Sequence, residues 1–379
     1  MRRIRTRFHR LKQATGVIVS AIGICACAVA LYVNFAPQFG AQPQGEHLVK
    51  ISASIHFQNG VFVNQVETIM DYGLLKTAKM IRDFLTVDNI SPTDPLPVKF
   101  AAGNAIVALD TLTSVTWYGH SAFLLEIEGK RLLLDPMFGP AASPFSFVGQ
   151  RYAYQQPIDM EQFTKIDAVI ISHDHYDHLD YSSIVKLQPH VDHFFLPLGV
   201  GAHLMRWGVA EDKITELDWW ESAVFKDLTF TAAPARHFSG RTLSDRNKTQ
   251  WASWVLQGQY NNLYFSGDGG YAPHFKEIGD KYGPFDLTLV ECGQYDQRWE
   301  AIHMMPEQSL QANIDLRGKV VMPIHWGAFD LALHKWRDPV SRLLAAAEKQ
   351  NIKVATPYIG ERFIIGQDLP HKKWWETLN

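Results

Sequence analysis

The sequence predicts a mixed α/β domain carried behind an N-terminal membrane segment. Three observations predict it. Apolar, β-branched runs of strand length recur from about residue 113 and alternate with helical stretches after Pro306 and Pro339. Several of those runs stop at a histidine or an aspartate. At the other end, a cluster of Arg2, Arg3, Arg5, Arg7, Arg10 and Lys12 precedes an apolar run from Ala14 to Ala36.

The bulk composition agrees with a globular chain. Of 379 residues, 46% are hydrophobic and 20% charged, with a net charge of −3, so no broad basic surface for nucleic acid is implied. The three cysteines are Cys25, Cys27 and Cys292, and only Cys292 lies beyond the apolar run. Neither a disulfide framework nor a cysteine zinc site is available to the main domain.

Taken in order, residues 1–13 form a basic region placed in the cytoplasm, and residues 14–36 a transmembrane anchor or signal segment. A run of about 20 apolar residues is enough to cross a ~30 Å hydrocarbon core as a helix. The charge asymmetry puts the remainder of the chain across the membrane. The reading preferred is an uncleaved anchor in a bacterial inner membrane, single-pass, with a periplasmic catalytic domain. A cleaved signal at Ala26-Cys27-Ala28, or lipid modification at Cys27, are the competing readings.

Residues 37–112 read as a linker and N-terminal extension. Pro37 to Gly45 is polar and Gly-containing. Between Asp71 and Val87 the apolar positions Leu74, Ala78, Ile81 and Leu85 follow helical spacing, which predicts an amphipathic helix packed by that stripe on the main domain. A lid or membrane-surface role is the alternative. Ser91 to Pro97 is a proline-containing connector.

Residues 113–379 form the main domain. Val115–Tyr118 and Ala122–Ile127 read as strands broken at Gly119-His120-Ser121, with a turn at Glu128-Gly129-Lys130 into Arg131–Leu134 and an Asp135-Pro136 corner. Later strands fall at 228–232, 253–256, 263–266, 287–290 and 320–324. The chemistry is densest at Ser172-His173-Asp174-His175-Tyr176-Asp177-His178, directly after the apolar strand Ile166–Ile171. Four metal-ligating side chains in six residues of a loop are rarely chance. Other strands end at His237, Asp268 and His325, and strand ends on one rim converge in space. Neutral imidazoles and carboxylates suit zinc, and also manganese or iron. Seven such side chains are enough for two metals.

These motifs carry a resemblance. Thr116-Trp117-Tyr118-Gly119-His120-Ser121, Leu134-Asp135-Pro136, the 172–180 motif, His237-Phe238-Ser239-Gly240-Arg241-Thr242-Leu243, Gly267-Asp268-Gly269-Gly270, His303-Met304-Met305-Pro306-Glu307 and His325-Trp326-Gly327 resemble metallo-β-lactamase-fold hydrolases. Within that superfamily they are most similar to the N-acylphosphatidylethanolamine-hydrolysing phospholipase D group, over roughly residues 113–340. The resemblance implies an αββα sandwich with the metals at one edge. It implies that His173, His175 and His237 hold one zinc, Asp177, His178 and His325 the other, and that Asp268 bridges. Tyr176 and His303 match substrate-contacting positions, and His120 and Asp135 are expected to support ligands from behind.

The activity so implied is zinc-dependent hydrolysis of a phosphodiester in a membrane phospholipid, with Asp268, His303 and Tyr176 as the catalytic set and a metal-bridging hydroxide as nucleophile. A lactonase or other ester or amide hydrolase with the same metals is the second reading, and an inactive metal-binding envelope module the third. The expected partners are the phospholipid or another small phosphodiester and, through residues 14–36, the membrane. A homodimer is conceivable. Phe238, Trp299, Trp326 and Phe329 are candidates for an apolar trough or for the core.

Overall fold

The computed structural model describes residues 2–69, 73–87, 90–100 and 111–378. Met1, the side chains of residues 2–12, the expected helix start at Asp71 and the end of the extension at 101–110 lie outside the described residues. The chain divides into two compact units, Met1–Phe39 and Gly40–Asn379.

The first unit is helix α1, Arg2–Phe35. Its segment Thr15–Phe35 is 21 residues of exposed, apolar helix, long and apolar enough to cross a membrane by length and composition.

The second unit begins with α2 (Gly45–Ala53), a short hairpin of β1 (Phe57–Gln58) and β2 (Val61–Phe62), and α3 (Leu74–Thr86). There follow β3 (Thr113–Trp117), β4 (Phe123–Ile127), β5 (Lys130–Leu134), β6 (Ile166–Ile170), α4 (Tyr181–Leu187), β7 (Val191–Pro197), α5 (Gly201–Arg206) and β8 (Ile214–Leu217). The second half holds β9 (Ser222–Phe225), β10 (Leu228–Ala233), β11 (Ser253–Gln257), β12 (Asn262–Phe265), α6 (His274–Tyr282), β13 (Leu287–Glu291), α7 (Pro306–Asp315), β14 (Val320–Ile324), α8 (Asp338–Gln350), β15 (Lys353–Val354) and β16 (Arg362–Ile364).

The main strands form two seven-stranded sheets, ordered β16-β3-β4-β5-β6-β7-β8 and β15-β14-β13-β12-β11-β10-β9. Each is part antiparallel and part parallel: β5 to β8 run parallel in the first, β12 to β15 in the second. The strand sequences explain the layering. In Arg131-Leu132-Leu133-Leu134 the alternate residues Leu132 and Leu134 enter the core between the sheets, and Leu133 the layer outside the first sheet. Trp254 and Leu256 likewise face inward while Val255 faces the helices outside the second sheet. A strand buried on both faces must be apolar throughout, which is how these runs read.

The outer face of the first sheet is covered by Ile184 and Leu187 of α4 and Leu204 of α5. That of the second is covered by Phe275 and Ile278 of α6, Leu310 of α7 and Leu343 of α8. The layers are therefore helix, sheet, sheet, helix, as the resemblance implies. Each fully buried Leu or Phe contributes roughly 1.5–3 kcal/mol.

One expectation is corrected. The stripe Ala78, Ile81 and Leu85 is not the packing face of α3: Ile81 is 53% exposed and Leu85 81%. The side chain of Leu74 lies outside the described residues. The helix instead meets the domain through Met80 and Phe84. Phe84 stacks on Trp299 at 6.4 Å with planes 10° apart, and Asp83 pairs with Arg298 at 3.0 Å. Inward orientation is set by these partners across the chain, which the local spacing does not contain.

Candidate metal centre

The expected ligands lie in turns that follow strands, whereas His303 leads into α7. Because β3 and β5 are both antiparallel to β4, and β5 and β6 are parallel, the turns after β3, β5 and β6 leave one edge of their sheet. The same holds for the turns after β10, β12, β13 and β14 in the other. Carboxyl ends of strands are where open sheets place sites. Two backbone hydrogen bonds stitch the rims together here: His120 N–H donates to Trp326 O (2.8 Å), and His325 N–H to His120 O (3.0 Å). His120, Asp135 and His325 all hold positive φ, at 55°, 38° and 67°. Such conformations cost about 1–3 kcal/mol each and persist only where the surroundings enforce them.

The seven expected ligands are brought together. His175 Nδ1 lies 2.8 Å from His173 Nε2 and 3.2 Å from His237 Nε2. Asp177 Oδ2 lies 3.2 Å from His325 Nε2 and 3.5 Å from His178 Nε2. Asp268 sits between the groups, 3.1 Å from His178 Nε2, 3.0 Å from His325 Nε2, 4.0 Å from His173 Nε2 and 3.9 Å from His237 Nε2.

This donor set fits divalent metal. His173, His175 and His237 turn ring nitrogens toward one another, and burial holds all three below the usual histidine range, His175 at about 4. Neutral imidazoles keep the lone pairs that coordination needs. Burial alone would raise Asp177 and Asp268, but neighbouring histidines, His178 above all, hold both carboxylates well below their usual range. His325 is pushed up to about 10 against its burial, chiefly by the Asp268 carboxylate. His178 Nε2 and Asp268 Oδ1 are buried and 3.1 Å apart, yet neither is aligned for a hydrogen bond. A cation between them would satisfy both.

The residues behind the ligands have definite tasks. Asp135 Oδ2 accepts from His178 Nδ1 (2.6 Å) and from Ser172 Oγ (2.5 Å), which leaves Nε2 to face the cluster. His120 Nε2 lies 2.9 Å from Asp177 Oδ2. Both follow the pattern of a polar partner fixing a ligand's orientation.

Glu291, the last residue of β13, was not anticipated. Its carboxylate is buried, with Oε1 2.6 Å from His303 Nδ1 and Oε2 accepting Gly269 N–H at 3.0 Å. The available signal was an apolar strand ending in an acid, the pattern that marked the other ligands. Asn64 and His203 were also missed. Both lie in stretches with no motif, and only the fold brings them to the site.

A cavity of about 250 Å³ opens over the cluster. His175, Asp177, Asp268, Gln294, His303 and His325 supply its polar lining, and Met80, Phe84, Phe238, Trp299, Ile302 and Leu331 its apolar lining. Phe238 and Trp299 thus line it, while Trp326 and Phe329 belong to the core. Tyr176 is outside this lining. Its hydroxyl donates to Arg241 O at 2.6 Å, and the Arg241 guanidinium lies 4.0 Å over its ring.

Fold and site together define a metallo-hydrolase: the chain belongs to the β-lactamase superfamily, whose domain model matches residues 130–326. Two relatives and one solved structure place it further. It is 42% identical over 330 residues to an uncharacterized protein of Mycobacterium tuberculosis, covering 85% of this chain and 87% of that one. It is 34% identical over 250 residues to N-acyl-phosphatidylethanolamine-hydrolyzing phospholipase D 1 of Caenorhabditis elegans, covering 62% of this chain and 70% of that one. The fold is shared with Igni18, a metallo hydrolase of Ignicoccus hospitalis, at TM-score 0.54 and 22% identity, over 68% of this chain and all of that one.

Proposed function

We propose that this chain is a two-zinc phosphodiesterase that cleaves a membrane phospholipid such as N-acylphosphatidylethanolamine on the head-group side of phosphorus, as a phospholipase D does. The observation that carries the reading is the mixed lining of the cavity: acids and histidines of the cluster together with Met80 and Phe84 of α3, Phe238 and Trp299. The likeness to the nematode phospholipase supports the same substrate class.

In this reading His173, His175 and His237 would hold one metal, Asp177, His178 and His325 would hold the second, and Asp268 would serve both. Bound zinc would supply Lewis acidity and a water of lowered pKa. The chain's own residues do the rest. Glu291 occupies His303 Nδ1, so Nε2 is the nitrogen left to meet a phosphoryl oxygen in the cavity that His303 lines. Phe84 and Trp299 supply apolar surface beside the cluster, against which an apolar part of the substrate can pack. Tyr176, whose hydroxyl and ring are both engaged by Arg241 outside the cavity, is given no direct contact with substrate. The P–O bond to the head-group alcohol breaks, the alcohol leaves with a proton, and water supplies the new oxygen of phosphatidic acid.

A cavity of about 250 Å³ admits a head group and not two acyl chains. The chains would lie outside, along the exposed Ile81 and Leu85 of α3. The same small volume favours a second reading, a lactone or other ester as substrate with attack at carbonyl carbon. Residues 14–36 would anchor the enzyme as a single span of a bacterial inner membrane, with residues 113–379 as the periplasmic catalytic domain and 37–112 as its extension.

The test is metal content and phosphatidic acid release from N-acylphosphatidylethanolamine in mixed micelles, with a chelated control and a lactone panel alongside. Two metals with chelator-sensitive release support the phospholipase. Two metals with lactone opening alone would replace it with the second reading.

A further inference from the structure

We propose that the N-terminal extension is a working part of the metal centre, in which Asn64 and the pair Ala41–His203 act as positioning residues for the three-histidine set His173, His175 and His237. The inference rests on the ligand set proposed above.

Asn64 grips His237 by its backbone. Its Nδ2 donates to His237 O at 2.8 Å, and its Oδ1 accepts His237 N–H at 3.1 Å. One carboxamide thus satisfies both main-chain groups of a single residue, as a neighbouring strand would. Oδ1 also lies 3.2 Å from Trp251 Nε1, and this fixes which end of the amide is oxygen. With the backbone held, His237 Nδ1 bonds Ile302 O at 3.0 Å, and Nε2 is turned toward His175. Asn64 is itself anchored two residues away, where Phe62 is buried in the main core and its N–H donates to Asn247 O at 2.8 Å.

The second contact reaches Asp174, the residue between the other two histidines. Ala41 N–H donates to His203 Nδ1 at 3.0 Å. That nitrogen is therefore unprotonated, and Nε2 carries the proton toward Asp174 Oδ2, 3.3 Å away. Asp174 stands between His173 and His175, and also accepts from Thr249 Oγ1 (2.7 Å) and Gly240 N–H (2.8 Å). Gly40 makes the approach possible: its φ is +70°, and a Cβ there would fall 1.9 Å from His203 Nδ1. His203 is 1% exposed, so this imidazole is no surface histidine.

Two separate stretches of the extension therefore brace the two segments that carry the three histidines. Neither Ala41 nor Asn64 falls within residues 130–326, the segment that the family model covers.

The experiment uses full-length protein in detergent micelles, stripped of metal and titrated with Zn²⁺ against a chromophoric chelator, with melting temperature read in parallel. Asn64→Ala and His203→Leu should each weaken the same one of two zinc sites by about 10–100-fold, the usual effect of losing a ligand's supporting partner, and leave the other unchanged. Ile51→Ala, which removes packing from α2 of the same extension, should lower the melting temperature and leave both affinities alone. Wild-type affinities in Asn64→Ala, or a loss no greater than that of Ile51→Ala, overturn the proposal. A wild-type chain that takes up no zinc overturns the ligand set beneath it instead.

Discussion

Glu291 Oε1 and His303 Nδ1 lie 2.6 Å apart, the carboxylate buried and the imidazole at the cavity wall. The pairing leaves Nε2 as the ring nitrogen without a carboxylate partner, on a residue that lines the cavity. Glu291→Gln keeps the shape and removes the charge that selects this orientation. We expect kcat to fall by about 10²-fold, with KM and metal content near wild type, because positioned proton-donating groups contribute on that order. Steady-state kinetics with elemental analysis check it; loss of metal in step with rate would make Glu291 a support of His325, 3.7 Å away.

Asp268 is shared by both ligand groups, and its charge is what holds His325 up at about 10. Asp268→Asn should abolish measurable turnover and reduce bound metal from two to one or none. Undiminished turnover would remove Asp268 from the centre of the site.

Chelation should destabilise as well as inactivate. Bound metal stabilises the folded chain by about 2.7 kcal/mol at a free concentration 100 times Kd. Scanning calorimetry before and after chelator treatment should show a lower melting temperature that zinc restores together with activity. An unchanged melting temperature would mean the cluster holds no metal in the native protein.

The outward stripe of α3 bears on substrate form. Ile81→Glu with Leu85→Glu replaces exposed apolar groups and touches no candidate ligand. Hydrolysis of lipid presented in vesicles should fall several-fold, while a short, soluble phosphodiester is cleaved at the wild-type rate. Equal losses on both substrates would assign α3 a purely internal role.

Gly267 has φ +54°, and a Cβ there would sit 2.5 Å from the Cβ of Ser172. Gly267→Ala should cost at least about 1–3 kcal/mol from overpacking alone, next to Asp268 and beside the 173–178 loop. Denaturant unfolding measures it; a neutral effect would show that this turn readily relaxes.

Much of this was legible in the sequence where local pattern and chemistry coincide. The strand before His173 and the helices after Pro306 and Pro339 are set by neighbouring residues, and the ligands stand at strand ends where only turn residues are otherwise needed. What escaped depends on distance. β16 pairs with β3 from the far end of the chain, and nothing in Arg362–Ile364 names that partner. The stripe of α3 has helical period, but which face turns inward is decided by Trp299 and Arg298. Glu291 was hidden by being single, and Asn64 by acting on a backbone, which no side-chain motif records.

Trp326 follows His325 directly, and its ring lies 5.1 Å from Trp117, 5.5 Å from Trp374 and 5.4 Å from Trp375. Indoles this close share excitation energy, so the near-ultraviolet signal of the cluster depends on their mutual tilt. A displacement of His325 passed on through that one peptide bond would change the tilt. The His/Asp cluster therefore has a candidate optical reporter one residue away, readable by near-ultraviolet circular dichroism without a label or a substrate.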